Sequence, residues 1–223
     1  MDSLTIVIPC KNERMTIVRT LTALANEPSL RGVTVIVADS SDDVMTRFIL
    51  DRLYFSEIKL QVVNGGFPAR ARNIGAQLVT TPYVLFLDAD MIITKPITLD
   101  DKYDLVTCVT RTYDGYAWAY RVFEILQRIL AKITPFALGG YMLFKTEVFR
   151  DLGGFVDSDK VAEDFHLSMK ISPEKFHISD QVCYTTARRL HKKGLWYMIK
   201  LMIRSWINRN NSTFFTTDHG YWT

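Results

Sequence analysis

The first half of the chain alternates between two hydrophobic periods, and that alternation narrows the folds open to it. Four short apolar runs, Leu4-Thr-Ile-Val-Ile8, Val33-Thr-Val-Ile-Val-Ala38, Lys59 to Val63 and Tyr83-Val-Leu-Phe-Leu87, read as strands. Between them lie Glu13 to Ala25, Asp42 to Leu53 and Pro68 to Leu78, which read as helices; Ile17, Leu21 and Leu24 give the first its apolar stripe. Strands alternating with helices at this pace predict an α/β fold, a mostly parallel central sheet flanked by helices. The runs are apolar at nearly every position, as in a sheet covered on both faces. Pro9 is expected to end the first strand. The second half is less regular. Asp104 to Thr110 and Gly140 to Phe144 read as strands. A short helix to Leu152, Tyr116 to Ile133, Val161 to Ile171 and Leu195 to Asn208 read as helices. No repeat, low-complexity tract or linker interrupts residues 1–223, so one domain is expected.

Hydrophobic residues make up 48% and charged residues 23% of the chain, an ordinary globular balance that argues against disorder. A net charge of +3 does not point to nucleic acid. The charge is uneven, however: Arg188, Arg189, Lys192, Lys193, Lys200, Arg204 and Arg209 occupy a stretch without an acidic residue, suited to phosphates or an anionic membrane. Cys10, Cys108 and Cys183 are too few and too scattered for a disulfide framework or a zinc site, which suggests a reducing compartment. The N-terminal run lacks the basic and apolar regions of a secretion signal, and no apolar stretch is long enough to span a bilayer. A cytoplasmic location is therefore expected, with peripheral contact at the cytoplasmic membrane face left open.

In an open parallel sheet, ligands bind beyond the carboxyl ends of the strands. Polar residues collect there: Pro9, Lys11, Asn12 and Glu13 after the first run, Asp39, Ser40 and Ser41 after the second, Asp88 and Asp90 after the fourth. In an extended chain, residues two apart point to one side, so Asp88 and Asp90 would repel each other unless a cation intervened. Hard oxygen donors of this kind suit Mg²⁺ or Mn²⁺. The plain alternative is a capping aspartate followed by a turn aspartate. Arg70 and Arg72 cannot share a helix face, so one is free for a ligand while the other can pair with an acid. Glu163 and Asp164 open a helix after the Gly153-Gly154-Phe155 loop; either the helix dipole alone explains them, or one is a general base.

Together these segments resemble family 2 glycosyltransferases of the GT-A fold. The resemblance runs from about residue 3 to about residue 190. It rests on Ile6-Val7-Ile8-Pro9-Cys10-Lys11-Asn12-Glu13, Asp39, Ala71-Arg72-Asn73-Ile74-Gly75, Asp88-Ala89-Asp90, Gly139-Gly140-Tyr141-Met142-Leu143-Phe144, Gly153-Gly154-Phe155 and Glu163-Asp164. It implies a nucleotide-sugar-binding half over 1–100, an acceptor-binding half over 101–190, and a C-terminal amphipathic helix and tail over 191–223. The Pro9 loop, with Lys11, Asn12 and Glu13, and Asp39 would hold the nucleotide. Arg72 would lie near the base or diphosphate. Asp88 would contact the ribose or the metal shell, and Asp90 would be the main ligand of Mn²⁺ or Mg²⁺. Asp164 would be the general base of an inverting displacement from a UDP or GDP sugar, supported by Glu163. In related enzymes the neighbourhood of His191 can supply a metal or diphosphate contact; the alternative is a solvated histidine in a basic segment. His166 is expected to be a packed or surface histidine. A sugar-nucleotide nucleotidyltransferase and a silent nucleotide-sugar-binding module are the competing readings. The first would show a Gly-rich basic loop where this chain has Pro9 to Glu13. Retained carboxylates argue against the second.

Two helices bear on the acceptor. Leu195 to Arg209 mixes Trp196, Tyr197 and Trp206 with Lys200, Arg204 and Arg209; Tyr116 to Lys132 mixes Trp118, Tyr120 and Phe123 with Arg121, Arg128 and Lys132. Such faces suit a membrane surface, and with it a lipid-linked acceptor in place of a free glycan. Equally, they could pack on the sheet or on a second copy in a homodimer. The tail from Thr213 to Thr223, with His219 and Trp222, is read as a frayed end in preference to a lid.

Overall fold

The computed structural model describes residues 3–220, so Trp222 lies outside the described residues. In chain order the elements are β1 (Leu4–Cys10), α1 (Thr16–Ala25), β2 (Thr34–Asp39), α2 (Val44–Leu50), β3 (Lys59–Asn64), α3 (Pro68–Gln77), β4 (Tyr83–Leu87) and β5 (Ile92–Ile93). There follow β6 (Leu105–Thr112), α4 (Ala117–Leu130), β7 (Tyr141–Lys145), α5 (Thr146–Asp151), α6 (Glu163–Ser168), β8 (Phe176–Thr185), α7 (Arg188–Lys193), α8 (Leu195–Ile207) and α9 (Ser212–Thr216).

Among the described residues the strands form one sheet in the order β3-β2-β1-β4-β7-β6-β8-β5. β7 pairs antiparallel with β4 and β6, and β5 pairs antiparallel with β8; the other ladders are parallel. The mostly parallel sheet expected from the sequence is thus present. Alternate side chains feed two apolar layers. Leu4, Ile6, Ile8, Val35, Val37, Leu85 and Leu87 pack with Ile17, Leu21 and Leu24 of α1 on one face. Val7, Ile36, Val84, Phe86 and Phe144 pack with Ala69, Ala76, Phe149 and Leu167 on the other. Each large side chain so buried contributes about 1.5–3 kcal/mol.

The first strand does not stop at Pro9 but runs on to Cys10. Cys10 O accepts from Ser40 N, so Cys10 faces β2 and Pro9 faces the other way. On that other side the β1–β4 ladder ends at Val7 opposite Phe86. A residue without an N–H therefore removes no ladder bond there. Beyond this point β1 and β4 fork, and the fork opens at the edge where Asp39 and Asp88 stand.

Several elements differ from the sequence expectation. β8 pairs with β6 along Leu105 to Thr112, and the sequence pattern did not reveal it. The helix expected over Val161–Ile171 shortens to α6, because Ala162 takes a left-handed conformation (φ 50°) directly before Glu163. Asp43 caps α2, accepting from Thr46 N at 2.5 Å, so that helix begins at Val44. The tail is not frayed over its described part. Phe214 and Phe215 are buried in a satellite cluster with Phe136, Val161, Phe165 and Leu201. Lys160 N donates to Phe215 O at 2.8 Å. His166, expected to be packed or exposed, stacks on Phe215 with ring centroids 4.3 Å apart, and its Nδ1 lies 2.6 Å from Asp159 Oδ2. All three cysteines are buried and free.

Candidate active site

The carboxyl ends of β1, β2, β4 and β8 meet the start of antiparallel β7 at one edge of the sheet. Leu87 lies opposite Tyr141, and Asp88 N donates to Gly140 O at 3.1 Å. Most of the residues expected to act on a ligand are gathered along this edge.

At its centre is Arg72, 3% exposed, delivered by α3. Gly75 seats that helix on β1: a Cβ there would lie 2.3 Å from Val7 Cγ1. Arg72 Nη2 donates to Asp88 Oδ1 at 2.7 Å, and Nη1 donates to Glu163 Oε1 at 2.6 Å. Its guanidinium carbon stands 5.3 Å from the Phe155 ring centre. Burial opposes its charge, but Asp88 and Glu163 outweigh burial and hold it cationic. Of the two arginines, Arg72 is the one paired with acids, and Arg70 is exposed. One buried cation thus ties the fourth strand to the start of α6. Its place is beneath the rim, already engaged by two carboxylates.

Asn73, which sequence reasoning quoted but gave no task, completes the arrangement. Its Nδ2 donates to Phe155 O at 2.7 Å and to Asp157 Oδ1 at 2.6 Å, while Phe155 N donates to its Oδ1 at 3.0 Å. Adjacent residues of α3 therefore hold α6 and the Gly153–Phe155 loop. The signal was the Arg-Asn pair itself, two polar residues on the side of α3 that packs Ala69 and Ala76 into the core.

Asp164 is held at both oxygens. Gly139 N donates to Oδ2 at 2.5 Å and Phe165 N donates to Oδ1 at 2.8 Å. Gly139 is required by this approach, since a Cβ would fall 2.8 Å from Oδ2. Burial raises the Asp164 pKa, and the charge of Glu163 raises it further; the N–H donors and Arg72 offset only part. A carboxyl so placed is poised to exchange a proton near neutral pH.

On the other side of Arg72, burial also raises the Asp88 pKa, against the pull of Arg72 and Arg189. Asp90 is pushed up to about 6, first by burial and then by the charges of Asp88 and Glu13. Thr186 Oγ1 donates to Asp90 Oδ2 at 3.4 Å, a weak bond. Arg72 offsets Asp88, whereas Asp90 keeps an electrostatic strain that a divalent cation would relieve. Two hard carboxylates leaving room for phosphate oxygens fit Mg²⁺ or Mn²⁺.

His191 does not join them. Its Nε2 lies 2.9 Å from Asp114 O, and its ring stands edge-on to Tyr116 with centroids 5.1 Å apart. Among the described residues no group of three His, Cys, Asp or Glu side chains is placed to hold a metal, so the expected trio of Asp88, Asp90 and His191 is not assembled.

The Asp39 side of this edge is built by side chains gripping backbone. Asp39, 8% exposed, accepts at Oδ1 from Ser41 Oγ at 2.6 Å and Ser41 N at 3.1 Å. Its Oδ2 faces Arg47 at 4.0 Å, the outer limit of an ion pair, and keeps acceptor capacity. Asn12 takes a left-handed φ of 57°, which asparagine tolerates, and its Oδ1 accepts from Asp42 N and Asp43 N. Lys11 pairs with Asp42 at 3.0 Å in the open. Glu13 accepts from Thr16 Oγ1 and from both Nη atoms of Arg188, tying the first loop to α7.

The chain can be set beside known proteins. Residues 5–153 match the sequence family described as glycosyl transferase family 2, a span that includes the Pro9 loop, Asp39, Arg72, Asp88 and Asp90 and stops before Glu163. The amylovoran biosynthesis glycosyltransferase AmsB of Erwinia amylovora is 38% identical over 96 residues, 40% of this chain and 31% of that protein. Among solved structures, the mannosyltransferase PcManGT of Pyrobaculum calidifontis, in complex with GDP-Man and Mn²⁺, superposes with a TM-score of 0.69 at 22% identity. That match covers 89% of this chain and 60% of the mannosyltransferase. S. aureus TarS 1-349 in complex with UDP-GlcNAc gives 0.63 at 21% identity, over 83% of this chain and 59% of that one. The chain therefore spans less than two thirds of these relatives, and the structural likeness shows the fold. With the sequence match over residues 5–153, the chain belongs to glycosyl transferase family 2 and carries the GT-A fold.

Proposed function

We propose that the protein moves a sugar from a nucleoside-diphosphate donor, a UDP or GDP sugar, to an acceptor hydroxyl or lipid phosphate, with inversion at the anomeric carbon. One observation carries the reading: a single buried guanidinium holds Asp88 at 2.7 Å and Glu163 at 2.6 Å, with Asp164 next in the chain. The donor-side acids and the base-side acids are thereby fixed against each other. The known binding of GDP-Man by PcManGT and of UDP-GlcNAc by TarS supports the donor class.

Each residue then has a task. Asp39 accepts from a ring N–H of the base, and the Pro9–Glu13 loop borders it. Asp88 and Asp90 would hold Mn²⁺ or Mg²⁺, which supplies Lewis-acid neutralisation of the leaving diphosphate. Arg188, anchored on Glu13, adds positive charge on the same rim. Asp164 takes the acceptor proton as the acceptor oxygen bonds to the anomeric carbon and the bond to the diphosphate breaks. Glu163, fixed by Arg72, keeps the Asp164 pKa high. If the acceptor is already an ionised phosphate, Asp164 has less to do. The halves 1–100 and 101–190 act as one unit across the Arg72 bridge.

Product analysis with a UDP or GDP sugar tests the reaction. Released nucleoside diphosphate supports it; release of sugar 1-phosphate, with UTP or GTP formed when pyrophosphate is supplied, refutes it in favour of nucleotidyl transfer. For a hydroxyl acceptor, Asp164→Asn is expected to lower kcat by about 10²–10⁴ with little change in KM. Full turnover by that variant removes the base assignment.

A further inference from the structure

Helices α4 and α8 each carry two apolar faces, of which only one is packed. On α4, Ala119, Phe123 and Gln127 turn inward. Trp118, Val122, Ile125, Leu126, Ile129 and, just past its end, Ile133 are exposed, with Trp118 at 61% and Ile133 at 75%. At 3.6 residues per turn these six fall within an arc of about 100°, one continuous stripe. Arg121, Arg128 and Lys132 lie along a single flank of that stripe by the same spacing. α8 repeats the design. Leu201 and Ser205 turn inward, and Trp196 (75% exposed), Ile203, Trp206 and Ile207 turn outward. Lys200 and Arg204 follow on one flank of the outer face.

The two helices feed one packing cluster. Leu130 of α4 and Tyr197, Leu201 and Met202 of α8 enter the same satellite cluster, which also holds Phe165, the neighbour of Asp164. The uncovered stripes thus belong to one packing unit beside the base. Isolated exposed apolar residues are ordinary; an apolar stripe on each of two helices that share a cluster is not.

Charge decides between the occupants. Glu124, the acid on α4, already accepts from Arg111 at 2.5 Å and Arg128 at 3.1 Å. On α8 the charged residues are Lys200 and Arg204, with Arg209 just past its end and no acid among them. A second copy of the chain would bring the same basic flanks with no acidic partner for them. An anionic lipid surface supplies both the missing charge and an apolar layer for the tryptophans. Among the described residues no helix is long and apolar enough to cross a membrane, so these helices would lie in its plane.

We infer that the outer faces of α4 and α8 together form an interfacial dock for an anionic bilayer. The dock stands apart from the catalytic proposal, because vesicle binding is read without donor or turnover. The experiment is co-sedimentation of the protein with vesicles of phosphatidylcholine alone and of phosphatidylcholine containing roughly a third phosphatidylglycerol. Binding to the anionic vesicles is expected, weakened at least about tenfold on neutral ones and weakened again by salt. The paired substitutions Trp118→Ser with Ile125→Ser, and Trp196→Ser with Ile203→Ser, alter exposed side chains only and are each expected to cost about tenfold in vesicle affinity. Sedimentation velocity without lipid accompanies it. Equal binding to both vesicle types, no binding to either, or full binding by the paired variants would overturn the dock. So would a lipid-free dimer that those same substitutions dissolve.

Discussion

Asp90 shows how a site can be costly to the empty protein. Its pKa is raised from 3.8 to about 6, above its unfolded value. Ionising it in the fold is therefore unfavourable, and that penalty is present above about pH 6 and relieved as the pH falls toward 4. A cation needs the ionised form. The rise in Tm caused by Mn²⁺ is therefore expected to be largest near pH 7.5 and to shrink as the pH drops through about 6. Asp90→Asn should match or exceed the wild-type Tm without metal and show no response to Mn²⁺; an unchanged response would remove Asp90 from the metal site. Arg72 is the opposite case. Replacing it with Met leaves the mostly buried Glu163 and the partly exposed Asp88 without their cation, at a cost of up to about 3 kcal/mol in urea unfolding. Arg72→Lys is expected to fall short of wild type as well, because one ammonium cannot reproduce a planar fork held by two carboxylates.

At the scale of elements, the tail is the part whose weight the sequence concealed. Phe215 is fully buried and lies against the His166 ring. Phe215→Ala is expected to cost about 3–5 kcal/mol and to speed amide exchange around Lys160 and α6. Unchanged protection there would show that the tail packs without supporting α6. Thr213 to His219 read as polar and aromatic residues without a period, and only a partner cluster formed by Val161, Phe165 and Leu201 reveals their purpose. β8 was hidden for another reason. Its inward positions are Phe176 and Ile178, then Gln181, Cys183 and Thr185, so the alternation changes phase midway. The phase change coincides with a register shift against β6 between Thr107 and Val109. Polar inward residues and a bulge together erase a period-two pattern. β1, β2 and β4 were legible because strands buried on both faces are almost uniformly apolar and their ends polar; β3, an edge strand without a fully buried residue, showed itself only through Leu60, Val62 and Val63. The same contrast exposed Asp39, Asp88 and Asp90. No local pattern could show that Arg72 reaches Glu163, 91 positions away, or that His191 turns to Asp114.

For the whole molecule, ligand binding should be visible as stability. A nucleoside diphosphate with Mn²⁺ at a hundred times its Kd stabilises the fold by about 2.7 kcal/mol. In a chain of this size that is a rise in Tm of about 5–10 °C. UDP or GDP is expected to give it and Asp90→Ala to abolish it; equal shifts in both proteins would exclude a metal bridge. The forked ladder between β1 and β4 bears on how such a molecule can change. Hydrogen bonding welds the two central strands only as far as Val7 and Phe86, and Lys11 and Asn12 lie past the weld, exposed to solvent. On the proposed reading, exchanging Lys11 is expected to change which nucleotide binds while the apolar layers below stay as they are; Asn12, whose Oδ1 accepts from Asp42 N and Asp43 N, holds the loop itself. Durability thus resides in β1 and the proposed selectivity in the loop just after it, so an engineer could revise one without reopening the other.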